Sequence, residues 1–253
     1  MNKLKNISYF YILALCLLSG NAIAEEKIKP FTAKYDVYRN GLLIARTTRI
    51  LSNNKDLYEF KSSTILAGLA TLFLDIKLQE ESTLQLQQGN FYLQNYQYNK
   101  VDKKNNEKFS IQYKVKKNNL YHSLTRQSHA VKKQQYDILS FVIGIMSDFI
   151  KNEPHKHYTI LEKNKVRDYL FQISGKALFT YQGKDLITHV LQQVKLPSRH
   201  QFTFWCAEQF QYLPVRINKT ETDGDEILMK LTHYNGQAIE LSSQLDESTD
   251  EES

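Results

Sequence analysis

Residues Asp137 to Ile150, Asp-Ile-Leu-Ser-Phe-Val-Ile-Gly-Ile-Met-Ser-Asp-Phe-Ile, form one apolar helical segment in a chain that otherwise alternates in the manner of β-strands. Ile138, Leu139, Phe141, Val142, Ile145, Met146, Phe149 and Ile150 recur at the i, i+3, i+4, i+7 spacing of a single helix face, with Ser140, Gly144, Ser147 and Asp148 opposite. Asp137 is placed to cap the first turn, and Glu153 followed by Pro154 stops the helix beyond Asn152. Burying all eight apolar side chains is worth on the order of 10 to 20 kcal/mol at most. Such a helix needs a concave sheet to receive it.

The remainder supplies that sheet. Phe31, Ala33, Tyr35 and Val37 alternate with polar neighbours, Asn40-Gly41 suits a type I′ hairpin turn, and Leu42 to Ile50 is the partner strand. Leu57 to Ile65, Ile76 to Gln87 and Phe91 to Tyr98 continue the pattern, with Gln88-Gly89-Asn90 as a turn. Phe109 to Val115 and Leu120 to Arg126 read as a hairpin across residues 116–119. After the helix come His157 to Leu161, Tyr169 to Ile173 and Ile187 to Leu196, with Gly175 and Gly183 as turns. Phe202-x-Phe204-x-Cys206, Leu213-x-Val215-x-Ile217 and Ile227 to Leu231 complete the set. This makes about a dozen antiparallel strands with no βαβ rhythm and no tandem repeat. Only 4 prolines and 9 glycines against 16 Tyr and 13 Phe favour long strands over a loop-rich module. The expected fold is mainly β: a curled antiparallel sheet or incomplete β-barrel around the central amphipathic helix. Leu66 to Leu74 is a second apolar stretch without a charge, read as a short helix or a loop folding into the barrel mouth.

The first residues have the form of a secretory signal. Lys3 and Lys5 precede an apolar core from Ile7 to Leu18, too short to span a bilayer, and Ala22-x-Ala24 provides the small residues for cleavage after Ala24. Leu15 before Cys16 is the wrong residue for a lipobox. The expected organisation is therefore a signal peptide over 1–24, one β-rich domain over 25–245 and an acidic, disordered tail over 246–253. Export places the domain in the periplasm with Cys206 as its one cysteine, so no intrachain disulfide forms and a buried thiol is expected. The net charge of the whole chain is +6. The acids of the tail account for part of the negative charge, so the domain itself is more basic than the chain.

Three motifs in order, Tyr35-x-x-Tyr38-Arg39-Asn40-Gly41, Asp137-Ile138-Leu139-Ser140, and Trp205 followed by Leu213-Pro214-Val215-Arg216-Ile217, resemble the domain-of-unknown-function 3108 family of exported bacterial proteins. The resemblance spans roughly Phe31 to Leu231 and implies a predominantly β protein of the Gram-negative envelope; it brings no reaction and no catalytic residues. The lysine-rich loop and acidic tail lie outside what it supports. Physically, Asn40-Gly41 is a turn, Trp205 with Leu213, Val215 and Ile217 is expected in the core, and Pro214 marks an edge strand or a strand start. Arg216 should point outward, either ion-paired or ready for a carboxylate or phosphate.

No constellation carries catalysis. His155-x-His157 lacks further ligands, and no metal is expected. Cys206 beside Phe202 and Phe204 reads as buried rather than nucleophilic. Glu80 and Glu81, adjacent on a strand, face opposite ways. No glycine-rich loop cradles phosphate, and no cofactor is expected. A basic surface over Lys103, Lys104, Lys108, Lys114, Lys116 and Lys117, interleaved with Tyr96, Tyr98, Phe109 and Tyr113, suits an anionic membrane surface or an envelope partner; export excludes nucleic acid. The expectation is a non-enzymatic periplasmic binding or carrier module for a lipid-like or other apolar ligand, contacted by Phe141, Ile145, Met146, Phe149, Trp205 and Arg216, with the helix as a movable lid. The alternative is a structural or assembly factor with a filled core and a protein or glycan partner.

Overall fold

The computed structural model describes residues 27–72, 75–102, 106–114, 117–130, 135–153, 157–163, 165–194 and 200–243. The signal segment with Cys16, residues 103, 104 and 116 of the basic loop, Pro154, His155 and the acidic tail lie outside the described residues, as do Phe73 and Leu74.

Among the described residues the alternation read in the sequence becomes one sheet of seventeen strands. The first half runs through β1 (Phe31–Arg39), β2 (Leu42–Asn54), β3 (Leu57–Leu66), β4 (Lys77–Gln87), β5 (Asn90–Val101), β6 (Asn106–Lys114), β7 (Asn119–His122), β8 (Gln127–Ala130) and β9 (Gln135–Asp137). Helix α1 (Phe141–Ile150) follows. Then come β10 (His157–Leu161), β11 (Val166–Tyr181), β12 (Lys184–Gln193), β13 (Gln201–Ala207), β14 (Leu213–Thr220), β15 (Glu226–Tyr234), β16 (Gln237–Ala238) and β17 (Leu241–Ser243). Strands β1 to β8 pair antiparallel in chain order, β1 also pairs with β15, and the ladder continues from β15 back to β10. β9 pairs with β10 in parallel, and β17 joins β11. Among the described residues the edge strands β8 and β9 do not pair, so the curl stays open as expected. The count exceeds the sequence reading because β8, β9, β16 and β17, at four residues or fewer, are too short to show alternation.

Local chemistry explains the joints. Asn40 and Gly41, with φ of 48° and 79°, make the β1–β2 turn where glycine takes the positive φ freely. Asn40 and Arg39 then hold Asp225 at the neighbouring β14–β15 turn: Asn40 Nδ2–H donates to Oδ1 at 2.9 Å and Arg39 Nε–H to Oδ2 at 2.9 Å. These bonds hold the Asp225 carboxyl below its usual range. Gly175 is not a turn but a register shift within the long strand β11. Pro214 lies at the start of β14, beside the shift between Trp205 and Cys206.

The helix differs from expectation in two ways. It begins at Phe141, because Asp137 closes β9 opposite Leu161 and residues 138–140 form a turn. It is also buried on both sides: Gly144, Ser147 and Asp148 are enclosed together with Phe141, Val142, Ile143, Ile145, Met146 and Phe149. Ile138, assigned to the apolar face, is instead 39% exposed. A short helix inside a curl meets strands on more than one side, so its polar side is buried too. Phe141 packs on Tyr158, Phe171 and Phe204 at ring distances of 4.8, 5.4 and 5.7 Å, and Phe149 stacks on Tyr212 at 5.2 Å. Asp148 accepts the Tyr158 hydroxyl at 2.7 Å.

Gly144 shows how tight this fit is. A Cβ at that position would lie 2.6 Å from Cζ of Tyr136. Alanine gains about 1 kcal/mol in helix propensity over glycine, but overpacking a rigid aromatic costs about 1–3 kcal/mol. Gly144→Ala is therefore expected to lower stability, by up to about 2 kcal/mol in urea unfolding; an increase would mean that Tyr136 moves freely.

Candidate functional site

The residues singled out in the sequence separate onto two faces. Phe141, Ile145, Met146 and Phe149 are 3, 0, 0 and 7% exposed and sit inside the curl. Trp205 lies between Phe204 and Cys206, both buried, so strand alternation turns it to the outer face, half-buried rather than in the core. Arg216 is its register partner on β14, with the guanidinium carbon 5.2 Å from the Trp205 ring centroid. Arg216 thus lies on the outer face but is half-buried, with Nε and Nη1 enclosed, and the sheet stands between this pair and the helix residues, so the six do not form one pocket.

The basic cluster separates in the same way. Lys108, Lys114 and Lys117 are exposed, whereas Tyr96 and Phe109 are buried in the interior and Tyr98 stacks on Phe109 at 4.9 Å. Even and odd positions of one strand cannot share a face. Lys114 stays local, donating to Gln112 at 2.9 Å with Nζ 5.7 Å from the Tyr121 ring centroid.

Sequence reasoning missed a polar network inside the curl. Asp137 Oδ1 accepts the Leu139 and Ser140 N–H groups at 2.8 and 2.9 Å and the Ser82 hydroxyl at 2.8 Å; Oδ2 accepts the Ser140 hydroxyl at 2.5 Å. Asp137 therefore serves the first amides before the helix, from the strand and not from its cap position. Burial pushes its carboxyl up, against the pull of these hydrogen bonds. Two residues along β4 from Ser82, Glu80 accepts the Tyr96 hydroxyl at 2.7 Å, and burial pushes this carboxyl up as well. Glu81 turns outward toward Lys61 at 3.6 Å, as the alternation requires. Arg49 faces the interior with its guanidinium carbon 5.4 Å from the Tyr35 ring centroid. Its Nε and Nη1 are buried with no hydrogen-bond partner among the described residues. The available signal was phase: Arg49 keeps step with Ala45, Thr47 and Leu51, and Glu80 with Ser82, Leu84 and Leu86, all buried.

The buried Cys206 thiol is pushed well above its usual range by loss of solvent, which suppresses the thiolate. His122 stacks on Phe109 at 5.2 Å, with Nε2 3.2 Å from the Glu162 carbonyl oxygen, and burial lowers its pKa. Among the described residues no group of three or more His, Cys, Asp or Glu side chains is arranged to hold a metal, and no helix is long and apolar enough to cross a membrane.

These observations define a class of protein, an open β-barrel-like sheet closed on its own helix. The chain belongs to the family described as "Protein of unknown function (DUF3108)", whose model matches residues 34–232, in agreement with the motifs read in the sequence. Among solved structures, the chain is similar to the crystal structure of a beta-barrel-like protein of domain of unknown function DUF1849 from Brucella abortus. The TM-score is 0.52 at 9% identity, covering 85% of this chain and 99% of that one, a likeness of fold alone. The search of curated proteins finds no match.

Asp137 yields a pH-dependent prediction. Its raised folded pKa means that the native state holds the proton more tightly than the unfolded chain, so this stabilisation is full below the unfolded value and is lost as pH rises through the folded value. Asp137→Ala should cost about 2–4 kcal/mol by orphaning two N–H groups and two hydroxyls. Asp137→Asn should cost less, and its deficit should shrink between acidic and neutral pH in urea unfolding; a growing deficit would show that the carboxylate is preferred in place.

Proposed function

We propose that this chain is an exported, non-catalytic protein of the bacterial cell envelope whose core is permanently closed by α1. In this reading it works through its outer surface, as a structural or assembly factor, and is not a carrier that opens for an acyl chain. The observation that carries the reading is the burial of α1 on all sides. Releasing Phe141, Val142, Ile143, Ile145, Met146 and Phe149 would re-expose six apolar side chains, at roughly 1.5–3 kcal/mol each. That total, about 9–18 kcal/mol, is comparable to the whole stability of a typical domain, while a micromolar ligand returns only about 8 kcal/mol. A lipid-like ligand is therefore met from outside. The Lys3 to Ala24 segment supports export, and the suppressed Cys206 thiol supports the non-catalytic assignment.

Native mass spectrometry of the protein taken gently from its own host should give the mass of the chain alone. Hydrogen exchange should find the α1 amides opening only with the core strands. A lipid mass released on denaturation, together with fast local opening of α1, would restore the carrier.

A further inference from the structure

Of the stretch Leu66 to Leu74, read as a short helix or a loop folding into the barrel mouth, residues 68–72 stay out of the interior. Gly68–Leu72 forms a 3-10 turn with no buried residue. The turn is nevertheless fixed. The Ala67 N–H donates to the Ile44 carbonyl at 2.9 Å, and the Thr71 hydroxyl to the Gly68 carbonyl at 2.8 Å. Gly68 has φ of +61°, and a Cβ there would fall 2.5 Å from the Leu43 carbonyl oxygen, so only glycine lets the turn lie this close to β2. On this support Leu69 and Leu72 are 69 and 73% exposed, and Leu42, next to Leu43, is 66% exposed. No charged residue occurs from Leu66 to Leu74.

Arg46 and Lys77 flank the protrusion on β2 and β4, and Asp75, exposed, follows it in the chain. Ile65, half exposed, stands opposite Arg46 on β2 and Lys77 on β4. It also lines an outer-face hollow of about 470 Å³ with Lys34, Asp36, Arg46 and His233. Asp36 is the one carboxylate there, and it lies 3.3 Å from Arg46 Nε. An apolar protrusion held rigidly to water and edged by cations is complementary to an anionic lipid surface, where leucines enter the boundary between headgroups and chains and the cations meet phosphates.

We propose that this rim is a membrane-contact surface: Leu42, Leu69 and Leu72 enter an anionic leaflet while Lys34, Arg46 and Lys77 meet its phosphates. The proposal names a partner for the surface-contact reading above and rests on it; mass spectrometry tests the closed core, and vesicle binding tests the rim. The purified protein is sedimented with vesicles of phosphatidylcholine alone and of phosphatidylcholine with phosphatidylglycerol. It should bind the anionic vesicles, more weakly as salt rises. Leu69→Asp with Leu72→Asp should lower that affinity about tenfold or more with unchanged melting, and Leu42→Ser, at the hairpin tip, should lower it independently. Arg46→Gln should weaken binding to anionic vesicles only. Failure to sediment with either vesicle, or full binding by the leucine variants, would overturn the proposal. Loss of self-association or of a protein complex in place of vesicle binding would also overturn it, assigning the rim to a protein.

Discussion

Enclosure of α1 by a sheet that curls without closing is the interaction on which the other features depend. The helix supplies Phe141 to the aromatic wall of Tyr158, Phe171 and Phe204, and Phe149 to Tyr212 at its other end. Without it the inner faces of the strands would line an apolar trough in water. Without the curl, six apolar side chains on ten residues would have no shelter. Neither element is stable alone, and a helix of this length would be marginal in isolation.

This arrangement dictates the chemistry of the interior. Polar groups that enter the curl must find partners there, and most do: Asp137 with Ser82 and Ser140, Glu80 with Tyr96, Asp148 with Tyr158. At Asp137 and Glu80 loss of solvent shifts the carboxyl toward the neutral form. Such groups hold a chain path in place. Asp137 is the clearest case, joining the end of β9, the turn before α1 and the inner face of β4 through one carboxyl.

The interior is filled by α1, and the side chains left to solvent lie on the outer face. The outer face carries the Trp205–Arg216 stack, the exposed lysines of β6 and the leucine rim beside β2. The motif around Arg39 and Asn40 serves the frame by joining two neighbouring turns through Asp225.

The sequence by itself determined whatever depends on local period. Alternation over Phe31 to Val37 and Phe202 to Cys206 predicts strands, Asn40-Gly41 predicts a turn, and the single apolar segment predicts one helix in a curled sheet, because these signals arise from backbone geometry within a few residues. Family membership was legible for the same reason, through short motifs that keep their order. Only the tertiary structure decided what surrounds each face. It buried the polar side of the helix, began α1 at Phe141, put Trp205 outside, parted the lysines from the aromatics and left Leu69 and Leu72 in water. Residues far apart in the chain set those environments: Tyr136 against Gly144, Ser82 against Asp137, Leu43 against Gly68. A periodic pattern says which side chains share a face, and the long-range register of the sheet says what that face meets.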